Sequence, residues 1–382
     1  MNSYIDFIAL FFLSVIVITD IIRNKKKIKF EKVIMFRYSD TFVKKLENFT
    51  IEKNKFFSFF SLISLIISIP TISLIVYFLI SSFIQLQPSV ALVLPSVAGY
   101  KYPGPIVSVP FFYWIISIFL IVLFHETMHA VIAINNKIKV KKYGIIYLLF
   151  IPIGAFVDID EKKLKNSNLT TKIKIYSAGS LGNFLLSLIS FILIYSALSL
   201  FNFLTEDKGV YFDSLIPNSP AEKVNLSGVI YQINETKIKN IYDLNNFLLN
   251  RSPGERIKIY TSSGEYELEL GEMNNRSFIG INNVKTYFVY KNTNKKVEEI
   301  LISSFSHFLI LLRWILILSL GVGLANMLPI IPLDGGLVIK DIMIKILGER
   351  KGEKFAKIVS TIFILLIFAS LILSLKFQIK VF

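Results

Sequence analysis

The chain has 382 residues, 53% of them hydrophobic, no cysteine and a formal net charge of +15, and its mean hydropathy is +0.60. That apolar weight belongs to an integral membrane protein rather than a soluble one, and the missing thiols exclude disulfides and thiolate metal ligands. The charge does not indicate a nucleic-acid partner, because the lysines cluster in loops between apolar runs, where the positive-inside rule and anionic headgroups account for them.

From the N-terminus onward, six stretches are long enough to cross a bilayer, which takes about 20 residues each. They are roughly 4–22, 57–84, 110–134, 174–201, 302–327 and 355–377. The first lacks a basic leader and a small-residue cleavage site, so it reads as a retained helix. The second contains Pro70, a candidate kink. Segments 23–55, 137–174 and 340–354 are dense in Lys and Arg, whereas 85–110 has one lysine. Six spans then alternate with both termini outside, the basic loops in the cytosol and segment 202–301 outside.

The third stretch carries IVLFHETMHA at 121–130. His125, Glu126 and His129 form H-E-x-x-H, and on a helix the i, i+4 spacing puts both imidazoles on one face. Neutral imidazole is a good zinc ligand, and a glutamate beside the first histidine can reach a metal-bound water. Segment 143–160, YGIIYLLFIPIGAFVDID, follows; it is apolar, interrupted by Pro152 and Gly154, and too short for two spans. It reads as extended backbone dipping into the cytosolic membrane face. Exposed strand edges are not tolerated in lipid, so it must pair with itself, line a wet cavity or meet an incoming peptide.

Segment 202–301 is polar, with turn signals such as Pro217-Asn218-Ser219-Pro220. GVYFDSLI, VIYQIN, RIKIYTS, EYELELG and FIGI are candidate strands, and AEKVN and YDLNNFLLNR candidate helices, the second capped near Asp243. The segment reads as a small soluble α+β domain inserted between two membrane helices.

Two histidines leave zinc a protein ligand short. The helix after His129 continues AVIAINNK without a candidate, and His307 lies at the opposite membrane face, where it reads as an interfacial side chain. GVGLANMLPIIPLDGGL at 321–337 supplies Asp334, an acid in apolar surroundings at the depth of the histidines. A charge near the bilayer centre costs about 2.5–3.5 kcal/mol, so it faces a partner or a cavity. Pro329 and Pro332 interrupt the backbone there, and Gly335-Gly336 permits a tight turn that aims the carboxylate inward.

With HETMH at 125–129 and NMLPIIPLDG at 326–335, the chain resembles the site-2 protease family of intramembrane metalloproteases. FIPIGAFVDIDE at 150–161 is similar to the family's membrane-associated β segment, and AGSLGNFLLSL at 178–188 carries its Gly-x-x-x-Asn as Gly179 and Asn183. SPAEKVNLSGVIYQINETKIKNIYDL at 219–244 resembles a PDZ domain, without the usual Gly-Asp before the Val-Ile strand. The resemblance implies one Zn²⁺ on His125, His129 and Asp334, Glu126 as general base, and Asn183 and Asn326 as polar contacts near substrate or oxyanion. A substrate helix must unwind to be cut, and Ile153, Gly154 and Phe156 are candidates to receive its freed backbone by β-augmentation.

The expected fold is a polytopic α-helical membrane protein of about six spans, with a membrane-associated β segment and an inserted soluble α+β PDZ-like domain. Its expected parts are an N-terminal two-helix region (1–109), the first half of the catalytic membrane core (110–201), an extracytosolic PDZ-like domain (202–301), the second half of the core (302–345) and a C-terminal span (346–382). The expected activity is zinc-dependent intramembrane endopeptidase action near the cytosolic side of the cell membrane, on single-span membrane-protein substrates. A peptide or C-terminus is a candidate ligand of the PDZ-like domain, and no nucleic acid is expected. The alternatives are a membrane zincin acting on lipidated or terminal peptides, and a non-enzymatic receptor or metal transporter; a transporter would spread ionisable residues over several spans, whereas here they converge.

Overall fold

The computed structural model describes residues 3–31, 34–87, 89–97, 100, 102–148 and 151–379. Leu149 and Phe150, inside the expected extended segment, lie outside the described residues, and Ile153 is described by its backbone alone. In chain order the membrane part begins with helix α1 (Ser3–Arg23), strands β1 (Ile28–Glu31) and β2 (Ile34–Tyr38), and helices α2 (Asp40–Glu52) and α3 (Asn54–Ile84). Strands β3 (Leu92–Ser96) and β4 (Ile106–Pro110) lead into α4 (Phe111–Asn135), and β5 (Val140–Leu148), β6 (Ile151–Ile159), α5 (Glu161–Lys165) and α6 (Leu169–Leu204) follow.

Then come β7 (Thr205–Tyr211), β8 (Ser214–Leu215), α7 (Pro220–Lys223), β9 (Ile230–Ile233), β10 (Thr236–Lys237) and α8 (Ile241–Leu249). Strands β11 (Arg256–Thr261), β12 (Gly264–Glu269), β13 (Gly271–Met273), β14 (Arg276–Phe278), β15 (Ile281–Asn282) and β16 (Lys285–Tyr290) complete the polar stretch. Helices α9 (Glu299–Asn326), α10 (Asp334–Leu347) and α11 (Glu349–Ile379) close the chain.

Among the described residues five helices are long and apolar enough to cross a membrane: α3, α4, α6, α9 and α11. Only 17–39% of their most apolar windows is buried inside the protein, so much of each presents hydrocarbon outward, as lipid contact requires. α3 runs unbroken through Pro70 for 31 residues. α1, the remaining expected span, is helical over 21 residues.

The chain divides into two compact units, residues 1–193 with 310–382, and residues 194–309. In the first, Ala130, Val131, Ile132 and Ala133 of α4 are buried with Val43 and Leu46 of α2, Phe57 of α3, Tyr143 of β5 and Ile175 of α6. The expected extended segment is the β5–β6 hairpin, and it does not stand alone. β2 pairs with β5, placing Phe36 opposite Ile146, and the antiparallel sheet runs β1-β2-β5-β6 with β6 at one edge. Sequence reading had treated β1, β2 and α2 as basic loop.

The second unit is the expected α+β insertion. Its main sheet runs β12-β11-β9-β7-β16 over a core that includes Ile230, Ile233, Leu244, Phe247, Ile257 and Ile259. The cap of α8 lies three residues earlier than expected. Asn240 accepts the Asp243 N–H at 3.1 Å, while Asp243 reaches back to the Lys239 N–H at 2.9 Å, a variant of the reciprocal capping box that satisfies one free donor of the first turn and one of the residue before the cap.

Candidate metal centre

α4 presents His125, Glu126 and His129 toward a cavity of about 320 Å³, which Val157, Tyr176, Asn326 and Asp334 also line. A break in the helical run brings the third member of the group there. Pro329 and Pro332 end the helical run after α9, and the chain re-enters a helix with Asp334 in the first turn of α10. A carboxylate in that position is favoured by the positive end of the helix dipole. The Gly335-Gly336 pair makes no tight turn, contrary to expectation; it allows close packing inside that turn. A Cβ on Gly335 would stand 2.1 Å from the Met327 carbonyl oxygen, and one on Gly336 would stand 2.3 Å from the Ile330 carbonyl carbon.

The three donor atoms form a nearly equilateral triangle. His125 Nε2 and His129 Nε2 are 3.1 Å apart, and Asp334 Oδ2 lies 3.4 Å from the first and 3.5 Å from the second. Donors bonded at about 2.0–2.1 Å to one tetrahedral zinc stand about 3.4 Å from each other, so the residues present fit that ion. Asp334 Oδ2 is buried and has no hydrogen-bond donor, a costly state for an acid unless a cation shares the site. Among the described residues these three form the group of His, Asp and Glu side chains able to hold a metal, and His307 is not part of it.

The surroundings orient these side chains. His129 Nδ1 is 2.7 Å from the Ile175 carbonyl oxygen. A carbonyl only accepts, so Nδ1 carries the proton and Nε2 presents its lone pair to the cavity. Gly179 on α6 lets that helix pass against both rings, since a Cβ there would stand 2.4 Å from His125 Cε1 and from His129 Nε2. Glu126 Oε2 accepts the backbone N–H of Val157 at 3.1 Å, which ties the acid to β6. Tyr143 of β5 meets Thr127 of α4 through its hydroxyl at 2.9 Å. Burial pushes the Tyr143 phenol up to about 12, against the opposing pull of the Thr127 hydrogen bond.

The other expected residues are distributed unevenly. Asn326 lines the cavity. Asn183 is fully buried, and its amide nitrogen lies 3.2 Å from His125 Nδ1. Ile153, Gly154 and Phe156 lie on β6, but the pleat shifts the free edge by one residue. Tyr143, paired with Val157, gives its carbonyl to Ser39 on the β2 side, and the Val157 N–H goes to Glu126 rather than to β5. Successive residues of a strand alternate between its two edges. Gly154 and Phe156 therefore bond into the β5 ladder, and Ala155 and Val157 present their backbone groups off the edge. Ile153 sits at a register irregularity and has no partner in the ladder.

Sequence reading missed Ser360 on α11. Its Oγ accepts the N–H of Ile331 at 3.0 Å and donates to the Ala356 carbonyl at 2.9 Å. A lone serine in an apolar helix carries no signal of that kind.

The model of peptidase family M50 matches residues 113–370. Over 253 residues the chain is 27% identical to an uncharacterised protein of Methanocaldococcus jannaschii, an alignment covering 65% of this chain and 62% of that relative. The chain thus matches about three-fifths of the length of that curated protein.

Proposed function

The chain belongs to peptidase family M50, the site-2 protease family of membrane metalloproteases, and from that membership and the geometry of its metal centre we propose that it is a zinc-dependent intramembrane endopeptidase. Its substrates are single-span membrane proteins, cut in or near their transmembrane segments. The observation that carries this reading is the largely buried triangle of His125 Nε2, His129 Nε2 and Asp334 Oδ2, with edges of 3.1, 3.4 and 3.5 Å, beside a glutamate held by backbone. Convergence of the ionisable groups on one centre favours an enzyme over a transporter.

His125, His129 and Asp334 hold the ion. Zinc bound there supplies Lewis-acid polarisation of the scissile carbonyl and makes water a competent nucleophile near neutral pH. Glu126 acts as general base and then general acid. The Val157 N–H engages one of its oxygens, leaving the other to take the proton of the attacking water and pass it to the leaving amine. Asn326, on the cavity wall, donates to the carbonyl oxygen as negative charge develops.

Substrate backbone, once unwound, needs partners in a low-dielectric setting. The free edge of β6 meets that need by β-augmentation. Ala155 offers both its N–H and its carbonyl, and Val157 its carbonyl alone, so the added strand takes one register beside Glu126. α1 is the sixth span, the basic loops are cytosolic, and the metal centre lies near the cytosolic side. The α+β unit is PDZ-like and extracytosolic, with an internal peptide or the C-terminus of a protein as its ligand.

The test is Glu126→Gln in the purified full chain, reconstituted with single-span model substrates. Zinc content stays at the wild-type level and cleavage is lost. If that variant still cuts, the general-base assignment and the endopeptidase reading with it are wrong.

A further inference from the structure

Asn183 is expected, by family resemblance, near substrate or oxyanion, yet it does not line the cavity around Asp334. It sits behind His125, 3.2 Å from the ring nitrogen opposite the one that faces the metal centre. It is fully buried, and Ser319 of α9 donates to its backbone carbonyl at 2.8 Å. Its side-chain oxygen is buried without a hydrogen-bond partner.

We propose that Asn183 is a positioning residue, whose side-chain oxygen accepts the Nδ1–H of His125 when a metal is held and so fixes that ring's tautomer and aim. The inference rests on the reading of His125 as a ligand. A neutral imidazole has one ring proton. With the Nε2 lone pair directed at a metal, that proton is on Nδ1, which then needs an acceptor in an apolar place. Leaving such a donor unpaired there is costly, and an amide nitrogen cannot accept.

A half-turn of the amide about its last bond exchanges nitrogen for oxygen at nearly the same positions. It pairs both atoms that are otherwise mismatched, Nδ1–H and the orphaned oxygen. His129 has the equivalent support from the Ile175 carbonyl, at 2.7 Å, so each ring is aimed by one acceptor on α6.

The experiment measures zinc affinity of the purified, metal-stripped full chain in detergent, by competition with a chromophoric chelator, together with the electronic spectrum of the cobalt-loaded form. Asn183→Ala weakens zinc binding by about 10–100-fold, the usual effect of removing such a partner, and alters the cobalt spectrum. Asn183→Asp, which keeps an oxygen acceptor and has no amide donor, recovers most of that loss. Ser319→Ala, which loosens the same helix pair, lowers thermal stability of the stripped protein without a comparable loss of affinity.

Wild-type affinity in Asn183→Ala overturns the proposal, and so does an Asn183→Asp protein as weak as Asn183→Ala. If the alanine variant does not fold, the aspartate variant decides alone: near-native affinity supports the role and a large loss refutes it. Cleavage does not enter these measurements. A protein that shows this pattern but cuts nothing sinks the endopeptidase reading alone, whereas wild-type protein that binds no zinc sinks both.

Discussion

Replacing Gly179 with alanine tests whether the metal centre depends on the close approach of α6 to the two rings. The added Cβ would stand 2.4 Å from His125 Cε1 and from His129 Nε2, and 2.5 Å from His125 Nε2. Ordinary heavy-atom contacts begin near about 3.5 Å, so α6 must retreat by about 1 Å or the rings must turn away. Either movement opens the donor triangle, whereas metal–ligand distances tolerate only about 0.2 Å. Misplacement by about 1 Å costs on the order of 100-fold where geometry controls function, and zinc affinity is expected to fall by at least about that factor. Folding is expected to survive: the substitution gains about 1 kcal/mol of helix propensity against about 1–3 kcal/mol of overpacking. The assay pairs chelator-competition titration of zinc with thermal unfolding of the stripped protein. A Gly179→Ala protein with wild-type zinc affinity would refute the claim that ring placement depends on this contact.

Further substitutions probe the supports of the site and the α+β unit. Ala155→Pro removes an N–H that points off the free edge of β6, where proline is tolerated, so zinc content holds and cleavage of membrane substrates drops; Gly154→Pro removes a ladder N–H instead and destabilises the hairpin, and equal effects from the two would count against the edge register. Ser360→Ala strips the Ile331 N–H of its acceptor, which costs about 1–3 kcal/mol; thermal unfolding should shift down, Ser360→Thr should recover part of the loss, and an unchanged melting curve would remove Ser360 from the scaffold. Gly280→Ala in the α+β unit places a Cβ 2.1 Å from Ser219 Cβ at a backbone φ of +103°; protease nicking within residues 194–309 should accelerate while zinc affinity stays put, and resistance equal to wild type would contradict it.

The candidate metal-holding group was legible because the bilayer makes charge conspicuous. His125, His129 and Asp334 stand out against apolar neighbours, and few residue types can bind zinc once cysteine is absent. The α+β insertion was legible from alternation and turn residues, since strand and turn signals are local. What depended on distant partners was not. β2 pairs with β5 across more than a hundred residues of chain, and the lysines around it outweighed its alternating apolar residues. Which residues of β6 face its free edge was not legible, because the parity of a strand shows only when its partner is known. Asp243 and Asn240 both have capping side chains, and the capping contacts use both, so spacing alone could not rank them. Gly335 and Gly336 sit where a turn is plausible, but the reason for them, a main-chain approach from Met327 and Ile330, exists only in three dimensions.

α11 carries none of the residues that line the cavity, yet it completes the scaffold that positions Asp334. The break between α9 and α10 sets backbone groups free in an apolar interior, where each unsatisfied one costs free energy. Local turns satisfy several: Leu328 N–H bonds to Ala325, Ile330 to Leu328 and Leu333 to Ile330. The Ile331 N–H cannot be closed within the segment, and Ser360 of α11 accepts it. The same hydroxyl donates to the Ala356 carbonyl of its own helix, so it leaves no orphan behind. Ile331 is three residues from Asp334, and whatever holds one holds the aim of the other. The family match, which runs to residue 370, takes in this serine. The position of Asp334 therefore depends on the last helix, although that helix contributes no residue to the His125–His129–Asp334 group.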